Sequence, residues 1–106
     1  MNIEMLHEYC AGKPDVTEGF PFGDDTLVFK VKNRMFALAN LEGDLRINLK
    51  CDPEYAIELR EQHPCIIPGY HMNKKLWNTI IVDGSVSDKF IFSLIDHSYD
   101  LVAGRV

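Results

Sequence analysis

Apolar positions in the first dozen residues recur at helical spacing, with Ile3, Leu6, Tyr9 and Cys10 on one face of a segment from about Ile3 to Ala11. Asn2 is placed to cap the first turn, Glu4 suits the positive end of the helix dipole, and Gly12 with Pro14 ends the segment. A loop containing Gly19-Phe20-Pro21-Phe22-Gly23 follows, and its aromatics read as pins to the core, with an exposed clamp for a planar drug as the lesser reading. The period then changes. Leu27, Phe29 and Val31 alternate with Val28, Lys30 and Lys32, Asn33 turns the chain into Met35 to Ala39, and Glu42-Gly43-Asp44 turns it into Leu45 to Lys50. Turns this short force antiparallel neighbours, so the three segments form a meander. The last alternates most cleanly, with Leu45, Ile47 and Leu49 inward and Arg46, Asn48 and Lys50 outward.

Asp52 and Pro53 are suited to the N-cap and first position of a second helix, which runs to about His63 and is stopped by Pro64. Cys65 to Gly69 reads as a short extended piece. The polar stretch Tyr70 to Asn78 precedes a strand from Thr79 to Val82, closed by Asp83-Gly84. A last helix begins near Ser87, and Ile91, Leu94, Ile95, Ser98, Leu101 and Val102 form its buried stripe. Helix, three-strand meander, helix, two strands and helix predict an α+β fold: a single antiparallel sheet with helices packed on one face. Leu27, Phe29, Leu45, Ile47, Leu49, Leu94, Ile95 and Leu101 are expected to share its core. No repeat or linker interrupts the chain, which is expected to be one domain over residues 1–106.

Composition narrows the class. With 46% hydrophobic and 25% charged residues the chain can bury a core, so disorder is not expected. The longest apolar run, Met35 to Ala39, is far too short to cross a membrane. Glu4 and Glu8 interrupt the apolar pattern of an N-terminus without a basic start, which is not a secretory signal. Three cysteines, Cys10, Cys51 and Cys65, then fit reduced thiols in a cytoplasmic protein.

A net charge of −5 opposes generic nucleic-acid binding, so any such function requires an uneven distribution of charge. The outward face of the first and third predicted strands carries Lys30, Lys32, Arg46 and Lys50. Asp15, Glu18, Asp24 and Asp25 sit in the early loop, and Glu54, Glu58 and Glu61 on the second helix. One basic face on an acidic protein can hold a polyanion, although charge alone favours an ordinary solvated sheet face.

Tyr70 to Asn78 is the chemically richest stretch. Lys74 and Lys75 can meet phosphates, Asn73 and Asn78 can read base edges or hold a loop, and Trp77 or Tyr70 can stack on a base. For Trp77 a place in the core is the better reading, and His71 and Asn73 equally suit hydrogen bonds that fix the loop. Cys51, His63, Cys65 and His71 lack the paired spacing of a zinc site, so neither metal nor cofactor is expected. Nothing around the cysteines activates a nucleophile, although a Cys–His pair can form in space. Ser98-Tyr99 reads as a helix packing its ring with a satisfied hydroxyl.

Several segments resemble the MmcQ/YjbR family. They are Phe20 to Gly23 with Thr26 to Val31, Met35 to Leu38, Asn48 to Pro53, Pro68 to Lys75 with Trp77-Asn78, and Ser98 to Val102. Their order and spacing, more than any one motif, carry the resemblance over nearly the whole chain. It implies a fold like that of the frataxin homologue CyaY. It also implies predicted DNA binding through a "double wing", an association with mitomycin resistance, and no catalytic residues to carry over. Leu76 departs from the His frequent before the Trp, and Asn33 from the hairpin Gly. Frataxin-type iron binding does not transfer, because the first helix offers only Glu4 and Glu8.

The leading expectation is therefore a non-catalytic DNA-associated protein using Lys30, Arg46, Lys50, His71, Asn73, Lys74, Lys75 and Trp77. The alternative is a binder of a planar or toxic small molecule, and the third an enzyme. An open basic face favours the first, an apolar pocket with polar anchors the second, and paired Cys and His the third.

Overall fold

The Asn2 cap forms as its spacing demands: the side-chain oxygen accepts from the Met5 amide at 2.8 Å and starts α1 (Ile3–Ala11). The structure, a computed structural model, describes residues 1–104; Arg105 and Val106, the end of the expected domain, lie outside the described residues. A strand that the pattern does not announce, β1 (Val16–Gly19), follows α1. Then come β2 (Thr26–Val31), β3 (Arg34–Asn40), β4 (Arg46–Lys50), α2 (Pro53–Gln62), β5 (Ile66–Pro68), β6 (Trp77–Ile81) and α3 (Asp88–Ala103). Asp52 and Ser87 cap α2 and α3 by accepting from Tyr55 and Phe90 amides.

The six strands form one antiparallel sheet in the order β1-β2-β3-β4-β6-β5. The hairpin between β2 and β3 turns on Lys32 and Asn33, both at positive φ (51° and 63°), as a type I′ turn requires. That turn takes Lys32 off the outward face where alternation put it. Its ammonium instead donates to the Ala103 carbonyl at the negative end of α3, at 2.7 Å.

Leu6, Cys10, Phe29, Phe36, Ile47, Leu49, Ile91 and Ile95 meet in the main core between sheet and helices. Of the expected members, Leu27 and Leu94 belong to it, Leu45 is partly buried against it, and Leu101 is only half-buried. The turn of α3 places Tyr99 and Ala103 inward beside the expected Val102, and leaves Leu101 half-buried. Between Phe29 and Lys30 the β2–β3 register shifts, leaving Phe36 as an extra residue, and Phe36 and Ala37 both join the core. Continuing the β3–β4 register one step would set Phe36 opposite Lys50. There the Ser98 hydroxyl takes the place of a rung, donating to the Phe36 carbonyl and accepting from the Lys50 amide at 2.9 Å. Tyr99 donates its hydroxyl to the Pro14 carbonyl. The Ser98 and Tyr99 hydroxyls thus serve packing, as expected.

The sheet face away from the helices is not uniformly polar. Val28, Leu38 and Trp77 form a second buried cluster with Met35 and Met72. The β5–β6 connection folds back over this face and seats Met72 on it. Gly69 starts the return so tightly that an added Cβ would lie 2.7 Å from Trp77 Cβ. Val28, assigned outward by alternation, is therefore 1% exposed.

Candidate ligand-binding cleft on the open sheet face

A cleft of about 650 Å³ opens beside this second cluster. Its floor is built by alternation on three adjacent strands: Leu38 of β3, Asn48 of β4 and Thr79 of β6. The Phe22–Thr26 segment forms one wall and Tyr70, His71 and Met72 the other, while Asn40 and Arg46 close one end. The aromatics of the early loop do not pin it to the core. Phe20 and Phe22 are exposed, and Phe22 and Tyr70 each show 62% of their surface. The anchoring of that loop is by main chain instead, through the Leu41 amide to the Asp25 carbonyl at 2.8 Å.

The polar floor is fixed by a chain of hydrogen bonds. Tyr70 donates its amide to the Thr79 hydroxyl at 3.0 Å, and that hydroxyl donates to Asn48 Oδ1. Asn40 is fully committed, accepting from the Arg46 amide and donating to the Glu42 and Asp44 carbonyls. His71 sits at φ 59° with its ring 4.0 Å from that of Tyr70, a left-handed residue at the lip of the cleft.

The residues expected to form a nucleic-acid surface are divided by the fold. Lys30, Arg46 and Lys50 share the open face, as alternation predicts, with Lys30 and Lys50 half-buried. Trp77 is 7% exposed beneath Met72, so it cannot stack on a base and is the core plug that its residue type favours. Asn78 points to the helices, donating to the Ala56 carbonyl, and is unavailable to base edges. Asn73 accepts from the Lys75 amide and shapes the loop. Lys74 donates its ammonium to the Gly69 carbonyl at 3.0 Å, while Lys75 and His71 are exposed. Phe22, Asn48, Tyr70 and Thr79 are the cleft residues that the pattern alone did not bring together. Two exposed aromatics in polar loops were the available signal.

Two of the thiols are far from activated. Burial pushes Cys10 up to about 12 and Cys51 up to about 11, so both are protonated near neutral pH. All three cysteines are free and buried. Among the described residues no group of three His, Cys, Asp or Glu side chains could hold a metal ion, and no helix is long and apolar enough to cross a membrane.

An open antiparallel sheet with three helices on one face and a lined cleft on the other defines an α+β protein with a preformed recess. The YjbR family model matches residues 11–101, and the chain belongs to that family. It is 36% identical to the YjbR protein of Escherichia coli K12 over 93% of this chain and 85% of that one. It is 39% identical to the YbdF protein of Escherichia coli O157:H7 over 96% and 88% of the two chains. The fold matches a Deinococcus radiodurans crystal structure of the DUF419 domain with TM-score 0.91 and 47% identity, over 95% of this chain and 78% of that one. A Pseudomonas syringae crystal structure matches with TM-score 0.83 and 32% identity, over 96% and 99%.

Proposed function

We propose that this chain is a non-catalytic binding module whose open-face cleft takes a small planar molecule. The observation that carries this reading is the lining of the cleft: exposed Phe22 and Tyr70 on facing walls above a floor of Leu38, Asn48 and Thr79. At about 650 Å³ the recess falls within the ordinary range of ligand sites, which combine apolar walls with a few fixed polar groups. The suppressed ionisation of Cys10 and Cys51 gives no support to a thiol nucleophile at either position. Heteronuclear NMR of the whole chain against a panel of fused-ring compounds tests the reading. Amide shifts confined to Phe22, Asn48, Tyr70 and Thr79, and lost in Tyr70→Ala, support it. A panel that moves none of these resonances refutes it.

A second reading, DNA binding, draws on one specific observation: Lys30, Arg46 and Lys50 share the same open face, with Lys75 exposed in the adjoining loop. Such a face would meet phosphates through few contacts and against an acidic remainder, so binding would be weak and steeply salt-dependent. Its test is argued at the scale of the whole molecule below.

A further inference from the structure

The polar groups of the cleft are not balanced between donors and acceptors. The Thr79 hydroxyl and Asn48 Oδ1 satisfy each other, and Asn40 is used up by the β3–β4 turn. On β4, what is left over donates. Among the described residues the guanidinium of Arg46 has neither an ion-pair nor a hydrogen-bond partner, and Asn48 Nδ2 has no protein acceptor. Arg46 and Asn48 are two apart on β4, so their side chains leave the same face of the sheet about one pleat repeat from each other. An arginine fork beside a fixed amide is a natural partner for a planar carboxylate. Asp25, the one carboxylate among the lining residues, stands on the Phe22 wall and opposes a second negative charge. Its Oδ1 is already engaged by the Thr26 hydroxyl.

Resting on the reading of the cleft as a planar-ligand site, we infer that its ligand is an aromatic monocarboxylate: the rings lie between Phe22 and Tyr70, and the carboxylate meets Arg46 and Asn48 Nδ2. Three isosteric probes separate this inference from the reading beneath it: naphthoate, naphthalenemethanol and naphthylmethylammonium, each titrated into the whole chain by heteronuclear NMR. Naphthoate should bind at least about tenfold more tightly than the alcohol, the scale of a charged hydrogen bond. Arg46→Gln should abolish that preference by weakening naphthoate far more than the alcohol, and Tyr70→Ala should weaken both. Arg46 is exposed and its side chain holds nothing in place, so the substitution leaves the fold intact. Equal binding of acid and alcohol, preference for the ammonium, or an unchanged preference in Arg46→Gln would overturn the carboxylate assignment and leave the cleft standing. Should none of the three probes move the cleft resonances, both fall together.

Discussion

Trp77 is the sole tryptophan and lies beneath Met72 against Val28 and Leu38. Its emission should be blue-shifted and poorly quenched by iodide in the native protein. Trp77→Ala should cost about 3 kcal/mol in urea unfolding, the usual scale for emptying a large aromatic site. The thiols give a second residue-scale expectation. Unfolded cysteine ionises near 9.0, whereas burial holds Cys10 protonated to about 12 and Cys51 to about 11. As pH rises above 9.0 the unfolded state sheds protons that the folded state keeps, so stability present below that pH is lost progressively towards 11 and 12. The urea midpoint should decline over that window, and the decline should be shallower in Cys10→Ala. A slope that Cys10→Ala leaves unaltered would contradict the assignment.

At the scale of elements, Ser98 joins α3 to two strands at once. Ser98→Ala strands the Phe36 carbonyl and the Lys50 amide in a buried place, and should destabilise by about 2 kcal/mol or more in chemical denaturation. Helices were the legible elements. Asn2, Asp52 and Ser87 each supply a capping oxygen at the right spacing, and α1 runs over Ile3–Ala11 as its pattern predicts. The sheet was legible where one face met helices and the other met water, as in β4. It was not legible at β1, whose four residues include one aliphatic side chain and which, among the described residues, pairs with β2 alone. Nor was it legible at Val28, because the cluster that buries it draws in Trp77 and Met72, which lie far along the chain at the end of and within a loop with no periodicity. The same reason hid the cleft. Its basic strand residues follow from alternation, but the approach of Tyr70 and His71 depends on Gly69 and the Thr79 hydroxyl, which local pattern does not encode.

For the whole molecule, a net charge of −5 and a basic open face pull in opposite directions. If duplex DNA uses that face, affinity should be micromolar or weaker and fall by about one log unit per log unit of salt for each phosphate contact. Lys50→Glu with Lys75→Glu is the informative pair, because Lys74 is engaged in holding its own loop. Fluorescence anisotropy with a labelled duplex across a salt series should show binding at low salt and its loss in the pair. Absence of binding at low salt, or a pair that binds as the parent does, removes the DNA reading and leaves the ligand cleft untouched.

The segment that closes the cleft is tethered chiefly by main chain. Gly69 donates its amide to the Trp77 carbonyl at 2.9 Å, and the Leu76 carbonyl accepts from the Cys51 amide at 2.8 Å. Between those ties, Tyr70 and His71 lean on each other and Met72 supplies the single apolar plug. The frame tolerates change at the side chains it does not use, Tyr70 first among them, while the sheet beneath it stays the same. If the cleft takes a ligand, transplanting residues 70–73 between relatives should carry its recognition along, provided glycine stays at 69, an apolar residue at 72 and the Asn73 side-chain acceptor at 73.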